Sequence, residues 1–436
     1  MSRDVLFEGG EETVERPAES AVGDARLKRA NRSQSVLDAV SLDDLIAADH
    51  RARAFWHLLE GLDLSRFAAP IKSREGHVGR PAFDPQVLLC LWLFAISEGI
   101  GSARHLARLC ERDAPYRWIC GGLRPSAHTL SDFRVAHGAG LDELLTELLA
   151  ALLRSGVVRL KRVAQDGVRV RASASAASFR RERSLRKCQK QAREQVRATK
   201  VELDTPARDE STRKQAARLR AAQDREQRVS KALEALEELR GGSQRQKDAA
   251  EVRASTSDPE ARVMRMADGG YRPAFNVQAA VETESRLVVD VSVGNRGNDL
   301  NQLAPMLDRI QARTGRLPEQ YLIDGGYAKK TEIERAEGLG VAIYAPPSKL
   351  RKGDPAKPRW DDGPGVVQWR ERMADPASAK IYKERGASVE TVFGDFRQWR
   401  GLRQLPVRGI EKATCIALLM ALSYNLMRVI ELGVGI

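Results

Sequence analysis

The rhythm of apolar and polar positions changes character along this chain, and each change marks a segment. From Leu42 to about Arg154 the apolar residues recur at helical spacing. Leu42, Leu45 and Ile46, then Phe55, Leu58 and Leu59, fall on one face, and Pro85 to Glu98 predicts an almost wholly apolar helix ended by Gly99. Another helix is expected from Ser102. Ser126 or Thr129 can cap a third, SAHTLSDFRVAHG, and Leu141 to Arg154 predicts an amphipathic one. Short helices joined by tight turns, with basic exposed faces, predict a small domain of helix-turn-helix type with Ser126 to His137 as candidate recognition helix. Helices that merely pack on one another satisfy the same pattern.

Past Arg154 the period drops to two: VVRLKRVAQDGVRVRAS alternates apolar with basic residues and predicts a strand. Phe179 to Arg240 is Arg-rich, highly charged and reads as free of strands. Leu233, Leu236 and Leu239 share a helical face there, with Gly241-Gly242 as the stop. This predicts an inserted helical hairpin or coiled coil lying outside the core, its charge mostly solvated. Strands then resume: FNVQAAVE and LVVDVSVG form a hairpin, and Asp299 is expected to cap a helix Leu300 to Arg313. QYLID is a strand, KKTEIERAEGLG a helix, and VAIYAPP a fifth strand stopped by Pro346 and Pro347. Ser348 to Ala379 reads as a Pro/Gly/charged loop, before a helix from Ala387 to Trp399 and an apolar C-terminal helix.

This order predicts an α/β fold, a mixed five-stranded sheet with flanking helices in the order of a ribonuclease-H-like domain. The expected organisation is a disordered tail 1–40, an α-helical domain 41–156, a sheet domain built from 157–178 and 262–436, and the charged helical insertion 179–261.

A net charge of +13 and an isoelectric point near 9.7 point to a polyanionic partner, since fixed cations gain affinity by displacing counterions from phosphates. Five scattered cysteines without a CxxC pair imply a reducing cytoplasm and no structural zinc. The acidic N-terminus does not read as a signal peptide. Val87 to Ile96 and Cys415 to Met427 read as core helices too short or interrupted to span a bilayer, so no membrane partner is expected. The six histidines lack metal-ligand spacing, the serines Ser173, Ser175 and Ser178 lack a His partner, and no Walker lysine follows a Gly-rich loop. Zinc-hydrolase, serine-nucleophile and ATP-driven readings therefore find no support.

Three acids carry the candidate chemistry: Asp166 in VAQDGVRVRAS, Asp324 in YLIDGGYAKK and Glu390 in ERGASVETVFGDFRQWRG. Two carboxylates at strand ends followed by Gly, plus one on a helix, form a hard-oxygen set suited, if they converge, to two Mg²⁺ ions astride a phosphodiester. Singly, each has a plainer reading: turn acids at Asp166 and Asp324, a surface ion pair at Glu390. Asp290, Asp299 and Asp258 are assigned surface, capping and turn roles. Glu390, Phe393 and Arg397 fall at i, i+3 and i+7, on one helical face. Trp360, Trp369 and Trp399 lie near this helix; core packing is the leading reading and base stacking the alternative.

These residues resemble a family, the bacterial insertion-sequence transposases of the DDE type, over roughly Leu42 to Leu432. The helical stretch GRPAFDPQVLLCLWLFAISEGIGSARHLARLCERD, the motif QDGVRVRASAS, the stretch YRPAFNVQAAVE and DGGY are each similar to family segments. Tyr382, Arg385, Glu390 and Arg397 resemble the Tyr-Arg-Glu-Lys signature, with one extra residue between Arg385 and Glu390, and with Arg in place of the last Lys. The resemblance implies Asp166, Asp324 and Glu390 as catalytic, metal-binding acids and Tyr382, Arg385 and Arg397 as DNA contacts. It further implies two Mg²⁺ or Mn²⁺ ions, with terminal inverted repeats and target DNA as partners; handling two ends at once then calls for a homodimer or higher assembly on DNA, in the cytoplasm that the cysteines indicate. A non-catalytic DNA-binding derivative and a metal-dependent nuclease of the same fold are the alternatives.

Overall fold

The computed structural model describes residues 39–73, 80–204, 212–241, 252–347 and 357–434. The expected tail 1–40 lies almost wholly outside them, as do Gly242 and Ser348 to Ala356.

Helices Arg51–Glu60, Ser65–Ala68, Pro85–Ser97, Ala103–Arg112, Ala114–Cys120, Ala127–Ala136 and Gly138–Arg154 build the N-terminal segment. Pro85–Ser97 begins with Pro at its first position and Asp84 as cap, whose carboxylate accepts from Gln86 N at 2.8 Å. Val87 to Ile96 are all buried. A helix apolar all round must be covered on every side, and helices Arg51–Glu60, Ala114–Cys120, Ala127–Ala136 and Ile410–Leu432 supply the cover. Each fully buried large side chain there contributes about 1.5–3 kcal/mol.

Among the described residues eight strands follow: β1 (Arg162–Arg171), β2 (Phe179–Arg180), β3 (Ala254–Ser255), β4 (Arg262–Arg265), β5 (Tyr271–Glu282), β6 (Val288–Gly294), β7 (Gln320–Leu322) and β8 (Ala342–Tyr344). The five expected strands lie in the order β6-β5-β1-β7-β8. β5 runs antiparallel to both β1 and β6, while β1, β7 and β8 run parallel. This is a mixed, ribonuclease-H-like sheet. Short β4 adds to β5 beyond β6 and was not legible as a strand, because RVMR has no turn signal of its own.

The insertion is a helical hairpin, Glu182–Asp204 packed on Thr212–Gly241, with a small core of Leu185, Ala232, Leu236 and Ala254. It is not strand-free: β2 and β3 pair at its base. The Ile410–Leu432 helix packs on β6, on Pro85–Ser97 and on Gly138–Arg154, so helices and sheet share one continuous core. Its length and composition would suffice to cross a membrane, but most of it is buried here. Ser423 and Asn425, polar interruptions in its apolar run, are fully buried and satisfied: Asn425 Oδ1 accepts from Val288 N and its Nδ2 donates to Val288 O, both at 2.8 Å.

Three further expectations change. The stretch before Ala379 is not all loop: helices Pro364–Ala374 and Pro376–Tyr382 form there, each opened by a proline at its start, and Asp375 caps the second. Proline reads as a breaker, yet its fixed φ and missing N–H suit the first helical position. Asp299 does not cap a helix; the helix is Leu303–Thr314 and its N-cap is Gln302, without a side-chain bond. Asp290 is not at the surface. It is fully buried on β6, with Arg309 Nε at 2.6 Å and Arg313 Nη2 at 2.8 Å, and Arg313 also binds Asp142 of the Gly138–Arg154 helix at 2.5 Å.

Candidate active site

Strand register brings the first two acids together. β1 and β7 pair in parallel with Ala164 opposite Leu322, and Asp166 and Asp324 each lie two residues further on. Equal offsets from registered partners put both on one face of the sheet, at neighbouring strands spaced about 4.8 Å. Each acid is half-buried and bonds locally: Asp166 Oδ1 accepts from Gly167 N at 2.8 Å, Asp324 Oδ1 from Gly326 N at 2.7 Å.

Arg385 joins the third acid to the first. Its Nη1 donates to Asp166 Oδ2 at 2.9 Å and its Nη2 to Glu390 Oε1 at 2.8 Å. The side chains of Arg385 and Asp166 are 14% and 22% exposed, that of Glu390 54%, so the first ion pair is the better shielded. Burial pushes the Asp166 carboxyl above the usual range, partly opposed by Arg385 and reinforced by the charge of Asp324. Burial also opposes the charge on Arg385, but Asp166, Tyr382 and Glu390 outweigh it and push its pKa up.

The extra residue between Arg385 and Glu390 has a structural counterpart. Gly386–Glu390 forms a π-helical turn leading into the helix Thr391–Gln398. A π-turn absorbs one additional residue in a helix and brings i and i+5 onto one side. Arg385 and Glu390 are such a pair. Ser388 Oγ supports the turn by donating to Glu384 O at 2.7 Å.

Tyr382 is half-buried, with the Arg385 guanidinium 5.9 Å from its ring centroid, and burial pushes its hydroxyl pKa up. Arg397 is exposed, and no hydrogen bond or ion pair links it to the acids among the described residues. Phe393, on the same predicted face, turns into the core. The three tryptophans part ways: Trp369 is buried and donates to Ala345 O at 3.0 Å, while Trp360 and Trp399 are exposed.

Several supporting residues escaped the sequence reading. Glu384 anchors the Arg385 segment to the sheet through an ion pair with Arg162 and a bond from Thr283 Oγ1 at 3.2 Å. Beneath Gly167, Asp299 Oδ1 accepts from Asn276 Nδ2 and Gln278 Nε2, both at 2.8 Å. Gln278 Oε1 in turn accepts from Tyr327 and from Gln165, the neighbour of Asp166. Gly167 is required: a Cβ there would lie 2.0 Å from Gln278 Nε2 and 2.6 Å from Asp299 Oδ1. The polar residues Asn276 and Gln278 inside an apolar strand were the available signal.

Among the described residues no three acid, His or Cys side chains are close enough to share one ion. The donor set still suits a hard divalent cation, being all carboxylate, with one member desolvated and already drawn to a positive group.

The ribonuclease-H-like sheet thus carries one carboxylate within β1, Asp166, and one just past the end of the adjacent parallel strand β7, Asp324. Residues 247–426 match the family model described as a transposase DDE domain, and residues 40–136 match one described as a transposase domain, DUF772. The matches together cover more than half of the chain, which belongs to the DDE transposases of insertion sequences. Asp324 and Glu390 lie inside the first match, whereas Asp166 lies between the two. No curated protein and no solved structure matches the chain.

Proposed function

We propose that this DNA transposase binds the terminal inverted repeats of its own element, cuts at their 3′ ends and joins them to target DNA. Asp166, Asp324 and Glu390 are the catalytic carboxylates and the residues that would hold Mg²⁺ or Mn²⁺; when bound, such ions supply charge stabilisation on both sides of an in-line phosphoryl displacement. The β1–β7 register that seats Asp166 beside Asp324 carries this reading. Arg385 bridges Asp166 and Glu390, and its planar fork is suited to a phosphate. Tyr382 holds that guanidinium from one side. Exposed Arg397 contributes a further backbone contact. Handling two element ends requires a dimer or larger assembly on DNA, at work in the cytoplasm.

One observation favours a second reading, a DNA-binding protein without catalysis: Arg385 engages two of the three acids. Nicking of DNA carrying the repeats that flank the gene separates the two. Mg²⁺-dependent nicking by the wild type and its loss in Asp166→Asn support catalysis. Equal nicking by both rejects the assignment, and binding without nicking by either favours the second reading.

A further inference from the structure

Away from the carboxylates, the N-terminal helices and Pro406 line an open cavity of about 500 Å³. Its lining includes Ala103 and Arg104 at the start of one ten-residue helix, Ala127 and His128 at the start of another, and Ser131 and Arg134; among the described residues no acid lines it. Ser102 Oγ accepts from His105 N at 3.3 Å and Ser126 Oγ from Thr129 N at 3.1 Å, while Leu106 N and Leu130 N reach the cap carbonyls. The N–H groups of Ala103, Arg104, Ala127 and His128 are left without a partner among the described residues. Two positive helix ends therefore open on one space.

Arg134 is the independent observation. It is only 6% exposed, and its guanidinium lies 4.8 Å from the Trp92 ring centroid. Nη1 donates to Gly101 O at 2.5 Å, but Nε is buried with no partner, and no carboxylate pairs with the side chain among the described residues. A buried guanidinium stays protonated, and with no carboxylate paired to it among the described residues its charge favours an anion in the adjoining cavity, although Nε itself is out of reach. The larger groove beside it, about 650 Å³, is mixed in sign, with Asp132, Glu260 and Glu411 among its lining. An anion is favoured in the smaller cavity alone.

We propose that this cavity is a phosphate site for the backbone of duplex DNA, seated between two helix N-termini with Arg134 at its base. Helix N-termini with an arginine are suited to phosphate oxygens. The proposal rests on the reading that this transposase binds DNA through its helical segment, and is independent of the carboxylate triad.

The test uses the full chain in EDTA with a short duplex carrying one flanking repeat, affinity being read by fluorescence anisotropy over a KCl series. Ser131→Glu places a carboxylate in the cavity; Arg104→Gln removes a cation at its rim. The expected result is a loss of affinity of about tenfold for Ser131→Glu, and for each variant a salt slope shallower by about 0.9 per lost phosphate contact. Ser131→Glu also raises Tm by pairing with Arg134, and inorganic phosphate raises Tm of the wild type but not of this variant. Wild-type salt slopes in both variants, with phosphate still stabilising the wild type, would mean a free-anion site and overturn the DNA assignment. No response to either ligand would overturn the site itself. Because metal is absent, failure of the catalytic reading appears only in the nicking assay, and failure of this one only in the salt slope.

Discussion

Replacing Arg385 by Gln tests whether the guanidinium organises the acids before metal or DNA arrives. Its bond to Asp166, 2.9 Å long between two mostly buried partners, is a charge-assisted hydrogen bond contributing about 1.5–3 kcal/mol. The bond to Glu390 is discounted for solvent screening, because that side chain is more than half exposed, and contributes roughly 0.2–1 kcal/mol. The variant is expected to lose about 2–4 kcal/mol, on the order of 2–5 °C in Tm for a unit of this size. A double-mutant cycle with Asp166→Asn isolates the pair: each single variant and the double are unfolded in denaturant without metal, and the coupling energy is expected near 2 kcal/mol. Mn²⁺ should restore more stability to Arg385→Gln than to the wild type, since the two cations compete for the same oxygens. Strict additivity in the cycle, or an equal response to Mn²⁺, would refute the idea that Arg385 stands in for a metal.

Other consequences are checked as directly. Asp290→Asn breaks a fully buried ion pair with Arg313 and should cost about 3–5 kcal/mol, read by denaturant unfolding; a loss below 1 kcal/mol would show the cluster to be slack. Gly167→Ala forces its Cβ against Gln278 and Asp299, with an overpacking cost of about 1–3 kcal/mol, and should reduce nicking while DNA affinity in EDTA is retained. In the metal-free protein the Asp166 pKa is raised in the folded state, so ionisation destabilises the fold as pH rises from the ordinary carboxylate range through the raised value. Asp166→Asn should therefore match or exceed the wild type in Tm at neutral pH, with the advantage vanishing below the ordinary carboxylate range. A variant less stable at neutral pH would contradict that sign.

The parts of the fold legible in the sequence were those with a local signature. A period-two run located β1, two apolar runs joined by a polar turn located β5 and β6, and the Ser126 cap located its helix because one side chain closes one turn. Strand order placed Asp166 beside Asp324, but both were read as strand-end acids, whereas β1 runs on to Arg171 and it is the equal offset from the Ala164–Leu322 pair that sets them on one face. Even the departure in spacing before Glu390 was visible as one residue too many, although only coordinates turn it into a π-turn. Illegible were the contacts made by tertiary neighbours. Nothing near Asp299 indicates that Asn276 and Gln278 will claim its carboxylate, and nothing near Asp290 announces two arginines from a later helix. Prolines 364 and 376 misled because the same ring that ends a helix can begin one.

The helix Ile410–Leu432, wedged between the sheet and Pro85–Ser97, also sets a schedule for biosynthesis. Ten consecutive residues, Val87 to Ile96, emerge from the ribosome early, yet the element that covers one of their sides is made more than three hundred residues later. At ordinary translation speeds that is a delay of tens of seconds or more. Throughout it the nascent chain carries an oily cylinder with one flank bare, a natural client for chaperones, and any message truncated before Ile410 yields a product in which that flank is never covered.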